Sequence, residues 1–163
     1  MIENNYKVLA VITARGGSKG LVRKNVLNLA GFPLISWTIK AAQKSKYITK
    51  VILSSDDDEI ISVAKEYGCE VPFRRPEELA TDNASSIEVI FHALEKVPGY
   101  DYVVVLQPTS PLRSSEDIDL AFELMVSSEA NSCVSVCETA KPPYWMYQLE
   151  SDKKLTPLLS LPS

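Results

Sequence analysis

Histidine is almost missing from this chain of 163 residues: His92 stands alone, and one imidazole cannot build a zinc site by itself. Cysteine is scarce and odd in number. Cys69, Cys133 and Cys137 in a chain without an export signal read as reduced thiols rather than a disulfide framework. The four-residue spacing of Cys133 and Cys137 fits two small apolar groups packed on a strand better than a metal site. No apolar run approaches the ~20 residues that cross a bilayer, and Met1-Ile2-Glu3-Asn4-Asn5 lacks the charged and apolar regions of a secretory signal. The expected setting is cytoplasmic, away from membranes. With 45% apolar and 23% charged residues, the chain has the balance of one globular domain. At this length folding hides roughly 70% of the extended chain's surface, so no disulfide or structural metal is required.

Acid is absent from one region. Between Asn4 and Ser55 there is no Asp or Glu, while Lys7, Arg15, Lys19, Arg23, Lys24, Lys40, Lys44, Lys46 and Lys50 make nine cations. From Asp56 onward the balance reverses, and the chain as a whole carries a formal charge of -4. A cationic first third without a long basic face fits a small polyanion better than nucleic acid, because the helix lysines are scattered and no aromatic platform accompanies them.

Apolar patterning alternates between two periods. Val8 to Thr13 reads as a strand buried on both faces, Pro33 opens a helix through Leu34, Trp37, Ile39 and Ala41 or Ala42, and Val51 to Leu53 returns as a strand. Asp56 with Glu59 is expected to cap the next helix, with Ile60, Ile61, Val63 and Ala64 inward and Gly68 as its stop. A loop from Pro72 to Asn83 precedes a capping box, Ser85 with Glu88, on a helix carrying Ile87, Ile90, Phe91 and Leu94. Tyr102 to Leu106 is a strong strand. Ser114 with Asp117 opens a helix through Leu120, Phe122, Leu124 and Met125, and Ser132 to Cys137 is expected as one more strand. Beyond Pro142-Pro143, Tyr144 to Leu149 and the turn Ser151-Asp152-Lys153-Lys154 suggest a hairpin. Strands alternating with helices imply a mostly parallel sheet covered on both faces, a three-layer α/β/α arrangement.

Such sheets bind ligands outside the carboxyl ends of their strands. Three polar clusters fall there: Arg15 to Asn25, Ser54-Ser55-Asp56, and Gln107 to Arg113. The glycine loop Arg15-Gly16-Gly17-Ser18-Lys19-Gly20 is neither a P-loop, since Lys19 precedes Gly20, nor a dinucleotide fingerprint, since Arg15 stands where the first glycine belongs. What remains is a phosphate cradle with many cations. Arg15 offers a planar fork, and Lys19 and Lys24 supply point charges. A nucleoside triphosphate carries about four negative charges, so a divalent ion, Mg2+, is the expected complement. The acids nearest by motif, Asp56 and Asp82, read as a helix cap and a loop hydrogen-bonding group. Ser86 and Thr109 admit a structural reading as a helix and a turn residue.

Four motifs in register carry a resemblance: Ala14-Arg15-Gly16-Gly17-Ser18-Lys19-Gly20, Lys24-Asn25, the run Arg75-Pro76-Glu77-Glu78-Leu79-Ala80-Thr81-Asp82-Asn83-Ala84-Ser85-Ser86, and Leu106-Gln107-Pro108-Thr109-Ser110-Pro111-Leu112-Arg113. Together they resemble the acylneuraminate cytidylyltransferases, the CMP-sialic acid synthetase family, over nearly the whole chain. The resemblance implies the nucleotide-diphospho-sugar transferase (Rossmann-like) fold. It also implies a reaction in which CTP and a nonulosonic acid, an acidic nine-carbon sugar, give the CMP-sugar and pyrophosphate. By that analogy Arg15, Gly16, Ser18, Lys19 and Lys24 hold the triphosphate, with Arg15 and Lys24 as the catalytic cations. Asn25, Arg75, Ala84 and Ser86 surround cytosine and ribose, and Gln107, Pro108 and Thr109 face the sugar. Residues 1-143 are then the nucleotidyltransferase core, and 144-163 begin a dimerisation arm. Family members continue past the position of Ser163, and the resemblance puts their magnesium-binding aspartates and the rest of their homodimer extension there; no metal ligand is expected among the motif residues. The alternatives are a CTP-binding domain without turnover, and a nucleotidyltransferase acting on another sugar.

Overall fold

The computed structural model describes residues 5–18 and 20–159. They fall into two compact units that divide between Cys133 and Val134.

In the first unit, β1 (Val8–Thr13) is fully buried except at its last residue, as a continuous apolar run rich in β-branched residues predicts. Two short strands, β2 (Asn28–Leu29) and β3 (Phe32–Pro33), form an antiparallel turn that feeds α1 (Leu34–Lys44). Then follow β4 (Lys50–Ser54), α2 (Asp58–Glu66), α3 (Ser86–Lys96), β5 (Tyr102–Leu106) and α4 (Ser115–Ser127). The main sheet is parallel, in the order β4-β1-β5.

Alternation along β1 sorts the helices into layers, because successive side chains leave opposite faces. Ala10 and Ile12 join Ile35 and Ile39 of α1, Ile60 and Ala64 of α2, and Ile118 of α4. Leu9 and Val11 join Ile52 and Ala93 of α3 on the other face. The result is three layers with β1 at the centre. Its two neighbours are reached by connections that depart to opposite sides, so the carboxyl end of β1 is the switch point where a crevice opens.

Local chemistry sets most helix boundaries. Capping boxes at Ser85/Glu88 and Ser114/Asp117 start α3 and α4. Gly68 ends α2 at φ 76°, where a side chain would be strained. Three expectations are corrected. In α1 the buried stripe is Ile35, Thr38, Ile39 and Ala42, which faces the sheet, while Trp37 packs edge-on against Phe32. In α3 the buried residues are Val89 and Ala93, and Ile87 and Phe91 are exposed; in α4, Leu120 and Leu124 are likewise exposed. Residues 132–137 form no strand: Val134 and Val136 are exposed, and alternation without a partner ladder does not make a strand.

The second unit holds a single turn of 3-10 helix, Pro143–Trp145, and a hairpin of β6 (Tyr147–Leu149) and β7 (Leu155–Pro157). The turn lies at the Ser151 to Lys154 position the sequence indicates, closed by Glu150 N–H on the Lys154 carbonyl at 2.9 Å.

Candidate active site

Beyond Thr13 the chain keeps one more sheet contact, Ala14 N–H to the Ser54 carbonyl at 3.1 Å, and then turns into the glycine loop. Two groups grip that turn. Asp56 Oδ1 accepts from Gly16 N–H at 3.2 Å, and Asn25, 5% exposed, donates its Nδ2 to the Arg15 carbonyl at 3.1 Å. Gly16 has no room for a side chain, since a Cβ there would lie 2.6 Å from Asp57 Oδ2 and 3.0 Å from Asp57 Cβ. The expectation for Asp56 is overturned here. Asp57 caps α2, its Oδ1 accepting from Ile60 N–H at 3.0 Å, and Asp56 is left to hold the loop.

Arg75 anchors the opposite wall from inside. It is 4% exposed; its backbone N–H reaches the Ser55 carbonyl at 2.8 Å and its Nε the Ser54 hydroxyl at 3.0 Å. Burial pulls its pKa down, against the opposing pull of Asp56. Ser54 and Ser55, fully buried, therefore brace the site from beneath rather than line it.

After β5, Ser110 N–H and the Arg113 Nη2 both reach the Gln107 carbonyl at 3.3 Å, which folds the Gln-Pro-Thr-Ser-Pro turn over the guanidinium. Arg113 Nη1 is buried and has no acceptor among the described residues.

These walls enclose one cleft of about 540 Å³ at the carboxyl ends of β1 and β5. Of the residues singled out in the sequence, Arg15, Ser18, Lys24, Asn25, Arg75, Ala84, Ser86, Gln107, Pro108 and Thr109 line it. Gly16 does not; its N–H is spent on Asp56. Lys19 lies outside the described residues. Asp82, read in the sequence as a loop hydrogen-bonding group, also lines the cleft and accepts from Arg15; sequence reasoning missed the apolar lining, Ala14, Leu79, Val89 and Val105, and the placement of Thr81 there. Alternation along β5 puts Val105 on the face of α3, which was the available signal.

The sequence pattern of the family described as Cytidylyltransferase matches residues 9–151. The chain belongs to this family. It is 46% identical over 137 residues to the N-acylneuraminate cytidylyltransferase of Escherichia coli O18:K1:H7, an alignment that takes in 83% of this chain and 32% of that protein. It is 40% identical over 153 residues to the CMP-N,N'-diacetyllegionaminic acid synthase of Legionella pneumophila, and 37% identical over 153 residues to the pseudaminic acid cytidylyltransferase of Campylobacter jejuni. Each of those alignments takes in 91% of this chain and 66% of the relative. The chain thus spans between about a third and two thirds of the length of these curated relatives.

Among solved structures, a cytidylyltransferase from Leptospira borgpetersenii superposes with a TM-score of 0.63 at 25% identity, covering 76% of this chain and 50% of that one. A CMP:2-keto-3-deoxy-manno-octonic acid synthetase complexed with CTP superposes with a TM-score of 0.67 at 23% identity, over 76% of this chain and 49% of that one. The three-layer arrangement of this chain is therefore the nucleotidyltransferase fold that the resemblance implied.

No helix among the described residues is long and apolar enough to cross a membrane. Among the same residues, no three His, Cys, Asp or Glu side chains stand together as a metal cage. The carboxylates that touch the glycine loop are already engaged, Asp56 with Gly16 and Asp82 with Arg15. The residues described do not by themselves fit a resident magnesium ion.

Proposed function

We propose that this chain carries the nucleotide site of an enzyme that transfers CMP from CTP to the anomeric hydroxyl of a nonulosonic acid, sialic acid or a relative, releasing pyrophosphate. The carrying observation is the meeting of Arg15 and Gln107 in one cleft at the switch point of the sheet. In this reading Arg15, Ser18 and Lys24 face the triphosphate, with Lys19 in the same loop. Asn25, Arg75, Ala84 and Ser86 enclose cytosine and ribose, and Gln107, Pro108 and Thr109 address the acidic sugar. Phosphoryl-type transfer asks little covalent chemistry of the protein, so holding the sugar hydroxyl in line with the α-phosphate and neutralising charge supply most of the rate. Magnesium would be the counter-ion that completes the neutralisation of the triphosphate begun by Arg15 and Lys24.

The reading includes a reducing, cytoplasmic setting, supported by three free thiols, of which Cys69 is buried and pushed up to about 12. It includes a homodimer, supported by the exposed Trp145, Tyr147, Leu149 and Leu155 of the second unit, with a second copy of the chain as the partner.

The decisive assay is pyrophosphate release from CTP plus sialic, legionaminic or pseudaminic acid, compared with the other nucleoside triphosphates. Release with CTP and one of these acids supports the reading. Release only with a neutral sugar phosphate moves the protein to another subfamily, and calorimetric CTP binding without any turnover makes this chain a binding module.

A further inference from the structure

Arg15 reaches across the cleft mouth. Its Nη2 donates to Asp82 Oδ1 at 2.7 Å and its Nη1 to the Thr81 carbonyl at 2.9 Å, so one guanidinium joins the glycine loop to a segment 67 residues later. The two side chains retain 34% and 44% of their surface, which leaves the pair open to a competing anion. Only the tip of Arg15 is free to change partner, because its carbonyl is held by Asn25 and its neighbour's N–H by Asp56.

The Thr81–Asp82 segment has other anchors besides this pair. Upstream it is anchored by buried Arg75, and downstream by the Ser85/Glu88 capping box. Between them Ala84 N–H closes a turn on the Thr81 carbonyl at 3.4 Å. An exposed ion pair of this kind adds little to folding. Its effect falls on whatever else competes for the guanidinium.

We propose that Asp82 is an affinity- and specificity-determining residue of the nucleotide site, the exchange partner that Arg15 leaves for phosphate oxygens and returns to afterwards. The inference rests on the nucleotide reading above. A triphosphate or pyrophosphate must take the fork from a carboxylate, and that exchange is a cost. A nucleoside monophosphate that does not reach Arg15 does not meet it. Asp82 therefore holds down the grip on triphosphate and on the pyrophosphate product while leaving the monophosphate end untouched, which favours departure of pyrophosphate.

The test uses the full chain, with calorimetric binding of CTP, inorganic pyrophosphate and CMP to wild type, Asp82→Asn, Arg15→Ala and the double variant. Asp82→Asn is expected to tighten CTP and pyrophosphate by about fivefold and CMP by less than about twofold, in line with a displaced exposed ion pair. High salt should shrink the gain through screening. In the Arg15→Ala background the same substitution should change CTP binding by less than about twofold, since no guanidinium remains to exchange. Unchanged or weaker CTP binding in Asp82→Asn overturns the proposal. Equal tightening of CMP, or equal tightening without Arg15, overturns it as well, because either would be general electrostatics. Asp82→Ala carries the same expectations should the amide variant fold poorly. Failure of the wild-type chain to bind CTP sinks the nucleotide reading itself, whereas firm CTP binding that Asp82→Asn leaves unmoved sinks only this inference.

Discussion

On the glycine-loop side of the cleft, Arg15 and Lys24 present charge on a backbone gripped by Asn25 and Asp56; on the β5 side, Gln107, Pro108 and Thr109 present none. The one cation of the β5 side, Arg113, is turned beneath its own turn, where it supports the Gln107 carbonyl and where burial pulls its pKa down. The difference teaches how the cleft divides recognition. On the proposed reading, charge is concentrated where the triphosphate would lie, and uncharged groups stand where the sugar's hydroxyls would have to be told apart. A second cationic wall would bind phosphate without discrimination and pull the two substrates to the same place.

Removing the charge of one wall and the amide of the other should separate these tasks most sharply. Arg15→Ala is expected to weaken CTP between about 10- and 100-fold, the worth of a charge-assisted hydrogen-bond fork, and to leave CMP nearly unchanged. Gln107→Ala should leave CTP within about twofold and instead raise KM for the acidic sugar. Calorimetry and initial rates check the two arms; a loss of CTP affinity in Gln107→Ala equal to that in Arg15→Ala would erase the division.

A smaller effect tests why the cationic wall is rigid. The Gly16→Ala methyl must push into Asp57, which overpacks a site already used as a helix cap and should cost about 1–3 kcal/mol in urea unfolding. Asp57→Gly alone should cost only a few tenths of a kcal/mol, glycine being a tolerable cap. Combined, the two should recover much of the Gly16→Ala loss, because the obstructing side chain is gone. Strict additivity would mean that the added methyl is not obstructed by the Asp57 side chain.

The parts of the site visible in the sequence are those governed by local rules. β1 and β5 occupy the expected Val8–Thr13 and Tyr102–Leu106, since a short apolar run rich in β-branched residues and bounded by turn residues reads as a strand. Both capping boxes were legible from a Ser and an acid three residues apart. Asp56 shows the limit: Glu59 three residues on favours it over its neighbour Asp57 as the cap, and the choice is reversed by Gly16 N–H, which is 40 residues away in the chain and takes Asp56. The bond from Arg15 to Asp82 is hidden for the same reason. In α3 the competing stripes Ile87/Phe91 and Val89/Ala93 are both apolar, and which one turns inward depends on the strand it meets. Residues 132–137 have strand-like alternation without the partner that would make it a strand.

The smallest effect concerns the neutral wall and its dependence on acid. The turn after β5 ends in the cap of α4, where Asp117 Oδ2 accepts the Ser114 N–H and hydroxyl, both at 2.9 Å. Hydrogen bonding to the charged form holds the Asp117 carboxyl below its ordinary value of 3.8, with Arg113 adding to the pull. A carboxyl depressed in the folded state contributes stability above its unfolded value, and that contribution is lost as pH falls through the folded value. Wild type should therefore lose more of its urea midpoint than Asp117→Asn between about pH 5 and pH 2, and the two curves should converge at the acid end. Glu116, held below its ordinary value by its own backbone N–H and by Ser115, feels the Asp117 charge only as the smallest of its influences, so the difference between the curves reports mainly on Asp117. Parallel curves would show that the cap carries no proton linkage. The neutral wall would then owe its shape to Arg113 under the Gln107 carbonyl.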